Sequence, residues 1–97
     1  MKFEIQIEDR VLHDFSEAFT YYHLISNSLS EKFEVAFATA LNKLSAKPRN
    51  YYNLGHNLRR IKLGKFPHML VYTVIKEKVT VVALFHQASN PSQWEKM

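Results

Sequence analysis

The sequence predicts an α+β fold, a two-layer β-α-α-β-β-β domain with a helix hairpin packed on a mostly antiparallel sheet. Three observations predict it. Apolar residues alternate with polar ones over residues 2–8, recur every three or four positions from 9 to the mid-forties, and return in three closely spaced strand-like runs after residue 56. A helix pair with one apolar stripe per helix needs a surface to cover, and a sheet supplies it.

The first strand spans 2–8, where Phe3, Ile5 and Ile7 fall on one side and Lys2, Glu4, Gln6 and Glu8 on the other. From Asp9, which suits an N-cap, the period changes, and Leu12, Phe15, Phe19, Tyr22 and Ile25 form a helical stripe running to about Ser26. Ser28 and Glu31 have the spacing of a capping box, so the second helix is expected to start there. Its apolar positions are Phe33, Phe37, Ala40, Leu41 and Leu44, and Pro48 closes it. So short a link makes the two helices an antiparallel hairpin. A loop holding Tyr51, Tyr52 and Gly55 precedes strands at about 57–63, 68–75 and 79–86. The last two are apolar on both faces, as central strands are, with Lys76-Glu77-Lys78 as the turn between them. The first is interrupted by Arg59, Arg60 and Lys62, as an exposed strand would be. No repeat, low-complexity run or linker divides the chain, so residues 1–97 read as a single domain.

Composition narrows the function classes. With no cysteine, neither a disulfide framework nor a thiolate metal site is available. A chain with 46% hydrophobic and 23% charged residues has the balance of a folded globular protein. No window approaches the roughly 18 apolar residues of a membrane span, and MKFEIQIEDR lacks a signal peptide's apolar stretch, so a soluble cytoplasmic protein without membrane contact is expected. The net charge of +4 is segregated: residues 1–37 carry seven acids against three bases (−4), and residues 43–78 carry nine bases against Glu77 alone (+8). Such a field concentrates polyanions or acidic peptides near one part of the surface, with an ordinary solvated basic face as the alternative.

The chemical motifs are few. The sequence has no Gly-rich phosphate loop, His-Glu zinc motif or Ser-His-Asp set in recognisable context. His13 and His23 fall off the stripe of the first helix and read as solvated. His68 and His86 bracket one hairpin; a turn centred on Glu77 sets them face to face, and a slip of one residue puts them on opposite faces. They lack a third ligand, so neither metal nor cofactor is expected, and they suit proton transfer better. Arg59, Arg60, Lys62 and Lys65 lie on a strand and the turn after it, with alternate members on one face. Such a row suits phosphate oxygens or the carboxylates of an acidic partner, with a solvated edge as the plain alternative. Trp94, after Asn90-Pro91, reads as an anchor packing the terminus on the core, with a stacking platform for a base as the alternative.

Several of these residues resemble one family together. The element order, the Tyr21-Tyr22 pair, the Arg59 strand followed by Lys65-Phe66-Pro67, Tyr72, and the closing His86, Asn90-Pro91 and Trp94 look like the ParE branch of the RelE/ParE toxin superfamily, over nearly the whole chain. The resemblance implies a toxin of a bacterial type II toxin-antitoxin module of the plasmid stabilisation type, neutralised by a cognate antitoxin in a hetero-oligomer. The ParE branch implies a non-enzymatic inhibitor of DNA gyrase; the RelE branch implies a metal-free endoribonuclease acting on mRNA at the ribosome. For partner binding the expected residues are Arg59, Arg60, Lys62, Lys65, His86 and Trp94; a nuclease would use Arg59, Arg60, His68 and His86. Two positions depart from the pattern, Ser89 where the family commonly has arginine and His68 where it commonly has tyrosine. Losing an arginine removes a fixed charge and its donors, which leaves a detoxified, antitoxin-binding member as a third reading.

Overall fold

The chain folds back on itself at a single residue, Ser26. Its extended backbone (φ −166°, ψ 149°) ends one helix and starts the next: its N–H donates to the Tyr22 carbonyl at 2.9 Å and its Oγ accepts from Leu29 N–H at 3.0 Å. The computed structural model describes residues 2–87. Their order is β1 (Glu4–Ile7), α1 (Asp9–Ile25), α2 (Asn27–Ala46), a 3-10 turn (Pro48–Asn50), β2 (Tyr52–Gly55), β3 (Leu58–Lys62), β4 (His68–Ile75) and β5 (Lys78–His86). Because Ser26 already satisfies the first turn of α2, the expected Ser28–Glu31 box does not form and the helix starts earlier. Glu8, not Asp9, holds the cap position of α1.

The sheet order is β1-β5-β4-β3-β2, with β1 parallel to β5 and every other pair antiparallel. β1 and β2 therefore occupy opposite edges, and the α1–α2 hairpin joining them crosses one whole face. Phe33, Phe37, Ala40 and Leu44 of α2 and Val11 and Tyr22 of α1 meet Ile61, Leu63, Leu70, Tyr72, Val79, Val81 and Leu84 from the sheet. Phe33, fully buried, touches rings on every side: Phe15 at 5.4 Å, Tyr22 at 5.1 Å, Phe66 at 5.2 Å and His68 at 5.1 Å between centroids. The buried stripe of α1 differs from the expected one at its ends. Val11 is buried, whereas Leu12 is 48% and Ile25 59% exposed, because the buried line runs through 11, 15, 18 and 22 and the last turn leaves the sheet at Ser26.

The expected loop around Tyr52 holds a fifth strand. β2 pairs with β3 through a two-residue turn in which His56 (φ 54°) and Asn57 (φ 61°) are both left-handed, as a type I′ hairpin requires. Gly55, at φ 86°, forms the bulge beside it, its N–H held by Asn53 Oδ1 at 2.8 Å. Its sequence carries no strand signal because three of its four residues are exposed and show no alternation. The fold class stands with one strand more. Among the described residues no helix is long and apolar enough to cross a membrane.

Tyr72 fastens the centre of the sheet to the end of the helix layer. It is fully buried, and its hydroxyl donates to the Pro48 carbonyl at 2.6 Å. Burial pushes its pKa up to about 12, an effect that Arg59 partly offsets and Tyr51 adds to, so it remains a donor. Tyr72→Phe leaves that carbonyl without its donor and should lower unfolding free energy by about 1–2 kcal/mol, read from urea midpoints at constant slope. An unchanged midpoint would show the hydrogen bond to be dispensable.

Candidate functional site

His68 and His86 stand directly across from each other, but the register that pairs them arises in two steps. The hairpin closes on Lys76-Glu77, with Lys76 left-handed at φ 56° and Ile75 opposite Lys78, so Lys78 belongs to the strand and not the turn. That turn alone would offset the histidines by one residue and set them on opposite faces. A bulge then skips Val82: Tyr72 faces Val81, Val71 faces Ala83, and His68 comes to face His86. Their rings meet edge to face at 4.9 Å between centroids.

The two histidines differ in environment. His68 is 7% exposed, and its Nε2 lies 3.1 Å from the Tyr22 hydroxyl. Its Nδ1 is buried with no hydrogen-bond partner among the described residues. Burial, and after it the neighbouring His86, lower its pKa to about 4, so the imidazole is neutral near pH 7. Burial, aided by Tyr21, raises the pKa of Tyr22, which stays a phenol able to donate to that imidazole. His86 is exposed, so of the pair it is the one a bound group can reach. His68 serves as an inner neighbour fixed by the helix layer.

The pleat divides the basic row. Arg59, opposite Tyr72, faces the helix side, and its Nη1 donates to the carbonyls of Arg49 at 3.2 Å and Tyr51 at 2.9 Å. Arg49 in turn sits 5.4 Å over the Phe3 ring and donates to the Lys76 carbonyl at 3.1 Å. Both arginines tie the segment before β2 to the sheet. Arg60 lies on the other face, its guanidinium 4.5 Å over Tyr52 and 3.8 Å from Met69 Sδ, with Nε buried and unpaired among the described residues. Lys62 shares that face, and Lys65 is exposed in the following turn. Trp94 and Ser89 lie outside the described residues.

Two participants were missed from the sequence. Periodicity places Tyr22 in a core stripe, and the signal of its further role is that a buried phenol needs a partner for its hydroxyl. Tyr52, under Arg60, was hidden in the unread strand. His13 pairs with Glu17 at 2.6 Å on the exposed side of α1, and His23 lies 3.4 Å from Ser30 Oγ, which itself donates to the Asn27 carbonyl.

Comparison with known proteins adds an independent line. A sequence model described as "ParE toxin of type II toxin-antitoxin system, parDE" matches residues 5–91. No curated protein matches the sequence. Among solved structures, the chromosomal ParDE system from P. aeruginosa is similar at TM-score 0.73 and 11% identity, covering 88% of this chain and 96% of that one. An E. coli RelE toxin mutant in the free state is similar at TM-score 0.65 and 21% identity, covering 98% and 94%. The archaeal RelE-RelB complex from Pyrococcus horikoshii is similar at TM-score 0.62 and 15% identity, covering 93% and 100%.

The buried histidine has a consequence for acid stability. Its folded pKa lies below the ordinary 6.5, so as pH falls the unfolded chain binds the proton first. The stability it contributes is complete above about 6.5, declines as pH falls towards about 4, and changes no further below that. The loss should approach about 3 kcal/mol. His68→Gln, which does not titrate, should show a correspondingly shallower decline in urea unfolding between about pH 7 and pH 4.5; parallel declines would refute the assignment.

Proposed function

We propose that this chain, which belongs to the ParE toxin family of type II toxin-antitoxin systems, arrests growth by binding DNA gyrase and is neutralised by a cognate antitoxin. The observation that carries this reading is the family match over residues 5–91. Similar solved structures include toxin-antitoxin assemblies, the RelE-RelB complex and E. coli RelE bound to a RelB peptide, which supports an antitoxin partner here. The whole chain is read as one toxin domain, acting in the bacterial cytoplasm.

The geometry favours binding over catalysis. Of the four residues a nuclease would use, His68 is sealed under Tyr22 and Phe33, and Arg59 is engaged by two backbone carbonyls. Lys62, Lys65 and His86 are exposed and Arg60 lies over the exposed Tyr52, positions a partner can reach, and Trp94 follows in the sequence. Charges placed this way steer encounter and select an acidic partner.

A RelE-type ribonuclease is the second reading, favoured by the likeness to E. coli RelE. It needs a base for the ribose 2′-hydroxyl and cations for the developing phosphorane charge, roles for His86 and Arg60. Induced expression in a bacterial host separates the two. Filamentation and a DNA-damage response with continuing translation, and loss of supercoiling by purified gyrase, are expected. Rapid translation arrest with ribosome-bound mRNA cut, abolished by His86→Ala, would overturn gyrase binding; normal growth would point to a detoxified member.

A further inference from the structure

A lysine-lined concavity lies apart from the paired histidines. A groove of about 320 Å³ runs between α2 and the turn joining β3 to β4, with Lys32 and Lys43 on the helix side and Lys62 and Lys65 on the other. Among the described residues no carboxylate lines it. All four lysines are exposed, and none makes an ion pair among the described residues.

Its floor is apolar and shallow for identifiable reasons. Lys32, Ala36, Thr39 and Lys43 fall on one line of α2, at steps of four, three and four, which runs about 16 Å. Gly64, left-handed at φ 55°, brings the turn so close that a Cβ there would stand 3.8 Å from the Ala36 Cβ. Small side chains make the trough, and Val35 stands beside it 63% exposed. Phe66, anchored at its inner end against Tyr22 and Phe33, closes it.

We infer that this groove is the docking surface for an acidic amphipathic segment of the antitoxin, its carboxylates meeting the four lysines and its apolar side chains covering Val35 and Ala36. The inference rests on the toxin-antitoxin reading above and assigns a surface to it. Charge complementarity selects the occupant. Four like charges with no counter-ion repel one another, and an acidic segment relieves that repulsion as it binds. The alternative polyanion, RNA, fits less well. Phosphate recognition favours the planar arginine fork, and the arginines of β3 are turned elsewhere, onto backbone carbonyls and Tyr52. An apolar floor also has nothing to offer a phosphate backbone.

The test uses the full chain, the antitoxin protein encoded beside it, and a single-stranded RNA of about 20 nucleotides. Lys43→Glu with Lys65→Glu should weaken antitoxin binding about thirtyfold at low salt, with a flatter salt dependence. Val35→Gln should weaken it about threefold at every salt concentration, since it removes apolar contact and keeps the helix. Lys76→Glu with Lys78→Glu, at the far hairpin turn, should stay within about twofold. All these positions are exposed, and matching thermal midpoints would confirm folding. Tight antitoxin binding by wild type and groove variants alike would overturn the groove and leave the family reading intact. Wild type that fails to bind the antitoxin would overturn both, and RNA affinity lost in the groove variants with antitoxin affinity kept would reassign the groove to nucleic acid.

Discussion

Phe33 is the side chain on which the two layers close. It rises from the second turn of α2 and touches the aromatic rings of α1, of the β3–β4 turn and of β4 at once. A single fully buried phenylalanine of this kind carries about 3–5 kcal/mol against truncation, a large share of what holds a domain of this size. Everything else follows from the angle it sets. With the helix hairpin fixed across one face, β1 and β2 lie at opposite edges, and β5, β4 and β3 form the interior of the sheet.

The same packing explains why the histidines are unlike. His68 ends β4 under the helix layer, where Phe33 and Tyr22 displace water and keep the ring neutral. His86, its cross-strand neighbour, lies past the layer's edge in solvent. One bulge at Val82 makes them neighbours. A local irregularity in β5, which also brings Leu84 into the core with Val79 and Val81, thus decides whether the pair exists at all.

The basic surface is likewise sorted by the pleat and the edges. Arg59 and Arg49 turn inward to backbone carbonyls and hold the segment between α2 and β2. Arg60 faces away from the helices, and Lys62, on the same side of the pleat but at the very end of β3, borders with Lys65 the groove beside α2. A basic strand therefore serves three purposes, structural tether, open face and groove wall, and only the last two are available to a partner.

The sequence by itself determined the layers, because the 2-residue and 3.6-residue periods of the apolar residues leave no other way to bury Phe33, Phe37, Leu44, Leu70 and Val81. It also determined the candidate residues and, through their joint spacing, the family. It was silent on β2, whose residues are mostly exposed and carry no period, and on the cap at Ser26, which depends on one extended backbone position. Tertiary structure alone decided the rest. The pairing of His68 with His86 hangs on a bulge that balances a tighter turn, the partner of Tyr22 lies 46 residues away, and the lysine groove is assembled from α2 and a distant turn. Periodicity reports which face a residue takes within its own element; contacts between elements follow from how those elements are stacked, and no local pattern encodes that.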